Sequence, residues 1–311
     1  MRITRRWIAL LTILWCLNAA APAHAFWIWS ASTGLWQNPM YHKFATPREQ
    51  YDWAQRFFQE ANYRRAYKEF KKFIKRYPKD ELAPEAQYHL AVSLQQMRKY
   101  FDAFLAYQKV IEKYPLNERL TDIVEQQYVL AEIFMKQRQY GEAKEILEKT
   151  ILNAPYSKVA DVAQYNLAIA LFKTKNYAEA RAEVEKMAEK YSFSPFADDA
   201  VFYMGLCDYK ISSQVDDYDA GLVRKAVDSL EYFRRSYPTN ELVPQAESLL
   251  NKLYHVQAKR LYDTGRFYQK QRKYSAALKY YEDVVQNYEQ TSWAQLARPL
   301  VEKLRAQQRP K

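Results

Sequence analysis

Few residues in this 311-residue chain are placed to do covalent chemistry. Its five glycines, Gly34, Gly141, Gly205, Gly221 and Gly265, are nowhere spaced as GxGxxG or GxxxxGK, so the backbone loops that cradle a dinucleotide or a nucleotide phosphate are missing. Four histidines and two cysteines are too few and too scattered to predict a metal centre. Cys207 lies among Met204, Leu206 and Tyr209 with no histidine near it in sequence, and it reads as a small core residue, not a nucleophile. Asp216, Asp217 and Asp219 form one acidic cluster. General acid–base work would require a second carboxylate site or a histidine, and a calcium loop would require a central glycine and a distal glutamate. The cluster therefore reads as a solvated loop, and the chain as a non-enzyme with no cofactor and no metal.

What the chain has instead is rings. Aromatic residues make up 16% of it, and 27 residues are tyrosine. Tyrosine offers a flat apolar body with a hydroxyl at its rim, which suits recognition of another polypeptide. The rings must be placed by the elements that carry them, and those elements repeat.

The phrase Y-x2-A-x3-F-x6-Y-P recurs along the chain. Tyr63, Ala66, Phe70, Tyr77 and Pro78 give one copy, and Tyr100, Ala103, Tyr107, Tyr114 and Pro115 the next at the same spacing. Four degenerate copies follow at Ala143, Ala180, Ala226 and Ala277. Twelve positions before each alanine stands another small residue, Ala54, Ala91, Ala131, Ala168 or Gly265, with Gly205 taking that part ahead of a longer gap. Small residues let two helices approach while large neighbours fill the groove, so each copy predicts an antiparallel helical hairpin, A then B, closed by proline. The pattern resembles the tetratricopeptide repeat. It predicts an all-α superhelix of about six hairpins.

Two steps are longer than the rest. Between Gly205 and Ala226 about nine extra residues predict a loop near 211–222, and the proline-free run from Gln245 to Lys273 predicts a helix close to 40 Å long at ~1.5 Å per residue. Trp293, Leu296, Leu300, Val301 and Leu304 then fall at helical spacing and predict a capping helix. The organisation expected is an N-terminal leader over 1–25, an aromatic-rich segment over 26–46, the repeat array over 47–292 and a cap with tail over 293–311.

Three positions before each small A-helix residue stand Tyr51, Tyr88, Tyr128, Tyr165, Phe202 and Tyr262, an aromatic every time. They are the candidate peptide-binding residues of a concave face, and the same rings equally suit wedges between neighbouring helices. Trp27, Trp29 and Trp36 are a second aromatic group, for contact with a membrane interface or for packing onto the first repeat or a partner.

The first 25 residues carry Arg2, Arg5 and Arg6, an apolar stretch from Trp7 to Leu17, and Ala23-His24-Ala25, which together read as a secretory signal peptide. Cys16 follows Trp15 where a lipoprotein signal has a small residue, so lipidation there is not expected. Export leaves 44 bases against 36 acids, spread at helical spacing with acids among them, which is no nucleic-acid footprint.

The leader, the repeat phrases, Ser212-Ser213 followed by Asp216-Asp217, and Ala226-x3-Leu230-x6-Tyr237-Pro238 running into a long helix resemble the BamD family of outer-membrane assembly lipoproteins over residues 48 to 297. That resemblance implies a periplasmic scaffold at the inner face of the outer membrane, docked on the periplasmic domains of a β-barrel insertase and recognising the C-terminal strands of unfolded outer-membrane proteins. The family differs in its acylated N-terminal cysteine and in having five repeats. The alternative is an adaptor of the Tol–Pal or peptidoglycan-coordination type.

Overall fold

The structure is a computed structural model and describes residues 28–30, 34–37, 44–213 and 219–308. The leader, Cys16, Trp27, Asp216 and Asp217 lie outside the described residues. The chain divides into two compact units, Met1–His89 and Leu90–Lys311.

The first unit opens with two short antiparallel strands, β1 (Ile28–Ser30) and β2 (Leu35–Gln37), in which Trp29 faces Trp36. Their rings meet edge to face at 5.7 Å, and both remain more than half exposed. These two tryptophans thus pack on each other. Helices α1 (Pro47–Gln59) and α2 (Tyr63–Arg76) follow. Thr46 Oγ1 accepts from the Glu49 N–H and Asn62 Oδ1 from the Arg65 N–H, so each helix starts on a side-chain cap. Tyr51, Ala54 and Phe57 of α1 and Ala66, Phe70 and Phe73 of α2 form the core.

Helix α3 (Ala83–Gln96) spans the division between the units. The second unit continues with α4 (Tyr100–Lys113), α5 (Leu120–Lys136), α6 (Tyr140–Asn153), α7 (Ala160–Lys173), α8 (Tyr177–Lys190), α9 (Ala197–Ser212), α10 (Ala220–Ser236), α11 (Val243–Lys270), α12 (Tyr274–Asn287) and α13 (Ser292–Gln308). Read in pairs from α1, the helices form the six hairpins of a tetratricopeptide array, with α13 after the last. The repeat array is all-α; the strands precede it.

The connections within hairpins share one backbone solution. Ala61, Arg98, Arg138, Lys175 and Arg272 each adopt φ between 56° and 66°, one per A-to-B turn in five hairpins. The next residue's N–H then reaches back to the A helix, as from Asn62 to Phe57 O at 2.8 Å and from Gln139 to Phe134 O at 2.9 Å. This is the Schellman closure, built here without glycine. The fifth hairpin differs. The inserted residues lengthen both helices, α9 running on to Ser212 and α10 starting at Ala220, where Asp219 Oδ1 caps the N–H groups of Gly221 and Leu222. The insertion is thus partly helical, where the sequence predicts only loop.

The small A-helix residue does more than let two alanines meet. A Cβ on Gly205 would lie 2.7 Å from Leu230 Cγ, and one on Gly265 would lie 2.8 Å from Tyr281 Cε1. Each glycine is therefore the seat for a large B-helix side chain four residues beyond the alanine. Where that side chain is tyrosine, the A helix supplies its hydrogen-bond partner: Tyr107 and Tyr281 are fully buried and donate to Gln95 Oε1 and Gln269 Oε1, both at 2.8 Å. A buried hydroxyl left without an acceptor would cost roughly 1–3 kcal/mol, which the glutamine avoids.

Helix α11 is 28 residues long and serves two cores. Ala246, Leu250 and Leu253 complete the cluster of Phe202, Val223, Ala226, Leu230 and Phe233. Further along, Ala258 joins Ala277, Tyr281 and Val284 of α12 and Ala294, Ala297, Val301 and Leu304 of α13. Leu296, which the helical spacing places among the cap's core residues, instead faces solvent because Ala294 and Ala297 take the inner face of α13.

One charge pair is buried between α8 and α9. Arg181 Nε donates to Asp208 Oδ1 at 2.8 Å, while Asp208, 1% exposed, leaves Oδ2 without a partner. Burial raises the Asp208 carboxyl above its ordinary range, and Arg181 pulls the other way.

Two predictions follow from this packing. Gly265→Val drives a branched side chain into the buried Tyr281 ring and should cost on the order of 2–3 kcal/mol in urea denaturation, whereas Gly141→Ala, with nothing within 4 Å of the new Cβ, should be neutral or slightly stabilising. A carboxyl whose folded pKa lies above the unfolded value, about 3.9, makes the fold lose stability as pH rises from that value. Removing Arg181 widens this loss, so Arg181→Met should cost more at pH 7 than at pH 4, reaching on the order of 3 kcal/mol. Equal losses at both pH values would mean that the pair contributes no electrostatic stability.

Candidate functional site

The six aromatic A-helix residues do not share one environment. In the first unit Tyr51 is 7% exposed, its ring 5.8 Å from both Phe70 and Phe73. Tyr88 is half-buried with its ring edge-on to His89 at 5.6 Å. In the second unit Phe202 is 2% exposed against Phe233. Tyr262 is half-buried between Tyr281 and Trp293, 5.5 and 5.3 Å away. Tyr51 and Phe202 are core wedges turned toward their own B helices, so neither is available to a ligand.

Tyr128 and Tyr165 are different. Both are half-buried like Tyr88 and Tyr262, but their hydroxyls bridge to the next A helix. The Tyr128 hydroxyl donates to Glu132 Oε1 at 3.2 Å and accepts from Asn166 Nδ2 of the next A helix at 3.1 Å. Tyr165 stacks on Phe196 at 5.0 Å, and its hydroxyl reaches Asp199 Oδ2 of the following A helix at 3.4 Å. Asn240, in the turn before α11, then donates to Asp198 Oδ2 at 2.6 Å and Asp199 Oδ1 at 3.0 Å. Two bridges result, Tyr128–Asn166 from α5 to α7 and Tyr165–Asp199–Asn240 from α7 through α9 to the α10–α11 turn, which meet at adjacent residues of α7 and together form a strip. Burial first, and then the neighbouring carboxylates, push both tyrosine hydroxyls well above their ordinary range, so they remain neutral donors and acceptors at any physiological pH. Such a strip can hold a polypeptide by its side chains on the ring faces and by its N–H groups on the carboxylates.

The sequence reading singles out the rings but misses Asn166, Asp199 and Asn240. Asn166 stands next to Tyr165 and Glu132 four residues after Tyr128, but Asp199 stands three residues before Phe202 and Asn240 lies in a turn, so no single offset from the aromatic position marks all of them.

A second feature follows from the length of α11. Its extra turns hold α10 and α12 apart and leave an open groove of about 600 Å³ lined by Arg224, Asp228, Glu231, Arg234, Tyr254 and Tyr288. Burial pushes the Glu231 carboxyl up, but the hydrogen bonds donated by Tyr254 and by Arg234 Nη2, the latter at 2.8 Å, hold it net below the ordinary range. The groove wall is thus a fixed carboxylate ringed by donors, suited to positioning a partner side chain.

Cys207 is buried, and burial pushes its thiol up to about 12, the opposite of what a nucleophile requires. Among the described residues no three His, Cys, Asp or Glu side chains group so as to hold a metal ion, and no helix is long and apolar enough to cross a membrane.

Comparison with known proteins adds identity to this geometry. A tetratricopeptide repeat model matches residues 85–117. No curated protein matches the chain. Similar solved structures include a tetratricopeptide repeat protein from Parabacteroides merdae (12% identity, 83% of this chain and 98% of that one, TM-score 0.35), MamA from Desulfovibrio magneticus (18%, 64% and 100%, 0.33) and PilF from Pseudomonas aeruginosa (14%, 84% and 97%, 0.32). At those scores the superpositions add nothing to the hairpin register already described. The outer membrane lipoprotein model YfiO matches residues 122–308, which take in the Tyr128–Asn240 strip, the α11 groove and more than half of the chain. The chain belongs to the YfiO family of outer membrane lipoproteins.

Proposed function

We propose that the protein is a scaffold of outer-membrane β-barrel assembly, facing the periplasm, that holds an insertase's periplasmic domains and unfolded barrel chains on the A-helix face of hairpins three to five. The observation that carries this reading is the strip from Tyr128 to Asn240, in which half-buried rings alternate with carboxylates and amides already held in place by one another. Pre-set side chains lose little rotamer entropy on binding, and tyrosine is among the residues that dominate interface energies. An extended barrel strand supplies what the strip accepts: alternate aromatic side chains for the rings and backbone N–H groups for Glu132 and Asp199. Membership of an outer membrane lipoprotein family supports an envelope location, and a tetratricopeptide array supports a role in protein–protein contact.

The test must spare the core. Tyr51→Ala or Phe202→Ala would report unfolding, because both rings are buried. Tyr128→Ala with Tyr165→Ala should weaken binding of barrel-derived peptides ending in an aromatic residue by at least about tenfold while the far-ultraviolet circular dichroism is kept. Unchanged peptide affinity would remove the strip from the proposal. A pull-down from envelope extract that recovers a Tol-system protein and no insertase would overturn the assembly role itself.

A further inference from the structure

Every B helix but the last hands over to the next A helix through six residues, and all six handovers close with the same β-turn. The N–H of the fourth turn residue donates to the carbonyl of the first: Asp80 to Tyr77, Asn117 to Tyr114, Ser157 to Ala154, Ser194 to Tyr191, Asn240 to Tyr237 and Thr291 to Tyr288, all between 2.9 and 3.3 Å. The third residue of such a turn is thrown into solvent by the backbone itself, and polar or small residues are the usual occupants. Lys79, Thr239 and Gln290 obey this. Three consecutive turns in the second unit do not: Leu116 is 97% exposed, Tyr156 97% and Phe193 103%.

These side chains contribute nothing to the core. Two of these turns are neighbours in space: the Tyr191 hydroxyl donates to Pro155 O at 2.8 Å, which ties the turn bearing Phe193 to the one bearing Tyr156, and Ser194 Oγ donates to Asp161 Oδ2 at the start of α7 at 2.8 Å. The turn bearing Leu116 is the preceding one in the same repeat series. Within three residues of the tips in sequence lie Lys113, Arg119, Lys158 and Lys190 against Glu118; Asp161 is engaged by Ser194, and Asp122 lies 3.8 Å from Arg119, which leaves the three lysines as the surplus. The edge is therefore a row of apolar points set in a basic collar.

We propose that this turn edge rests on an anionic bilayer surface, with Leu116, Tyr156 and Phe193 entering the interfacial zone and Lys113, Lys158 and Lys190 meeting lipid phosphates. The charge balance favours an anionic surface. The form favours lipid over protein: a stable protein interface needs a contiguous dry patch, on the order of 600–1,000 Å² per partner, whereas each turn here offers one apolar tip followed by a polar residue, Asn117, Ser157 or Ser194. A headgroup layer accepts aromatic and aliphatic side chains one at a time and gains about 1 kcal/mol per nearby base. An outer membrane lipoprotein family also sets such a surface within reach. The inference is independent of which polypeptides the A-helix strip binds, and it concerns residues far in sequence from Trp29 and Trp36.

The test reads the tips locally, so any other tether of the full chain does not mask the result. In a Cys16→Ser background a solvatochromic dye is attached to Leu116→Cys, Tyr156→Cys or Phe193→Cys, with Thr239→Cys in the next polar turn as control; Cys207 is buried and stays unlabelled. With phosphatidylglycerol-containing vesicles, all three tip labels should shift to the blue and the control should not. The shift should be lost in about 1 M salt, where screening shortens to about 3 Å, and in the Lys113→Glu, Lys158→Glu, Lys190→Glu background. Emission unchanged by vesicles, an equal shift at Thr239→Cys, or a shift that needs an added envelope protein in place of lipid would each overturn the proposal.

Discussion

The structure depends on one steric arrangement repeated along the chain: a large B-helix side chain seated on a small A-helix residue. At Gly265 and Gly205 the seat has no room even for a methyl group. That contact fixes how closely the two helices of a hairpin approach and which way their outer faces turn. The proposed polypeptide-binding strip is carried on those outer faces. If the seat is filled, Tyr281 or Leu230 must move, and with them the residues of α11 that join the last two cores.

The same arrangement explains why the hairpins are legible in the sequence while the residues of the proposed strip are not. Small and large positions recur at fixed offsets because a seat and its occupant belong to two helices joined by a turn of constant length, and periodicity alone reveals that. Whether an aromatic three residues before the seat packs on its own B helix or bonds to the next A helix depends on the residues each of those helices offers it. Tyr51 meets Phe70 and Phe73 of its own B helix and is swallowed, whereas Tyr128 bonds Glu132 of its own A helix and Asn166 of the next one and stays half-buried. Composition at one position cannot separate those outcomes. The pairing of Tyr107 with Gln95 and of Tyr281 with Gln269 can be read from sequence once the seat is understood, since only those two hairpins put a hydroxyl at the buried ring. The tip residues escape periodicity altogether, because a turn carries no amphipathic period and its exposure is decided by one backbone hydrogen bond.

Polar groups inside the second unit mark where the chain gives up stability for definition. The Arg181–Asp208 pair leaves a carboxylate oxygen unmatched, and the Tyr128–Asn240 strip keeps hydroxyls, amides and acids half-buried where apolar residues would pack with less cost. In both places the polar atoms bridge successive helices and fix register between neighbours. A scaffold that must present the same strip to each incoming chain gains from such fixity, because binding then requires little rearrangement.

The most direct measurement is hydrogen–deuterium exchange of the full protein with and without the periplasmic domains of a β-barrel insertase and an unfolded barrel chain. The account predicts added protection in α5, α7 and α9 on the turns that carry Tyr128, Tyr165 and Asp199, with the B helices unchanged. Protection confined to the B helices, or none at all in the presence of both partners, would contradict it.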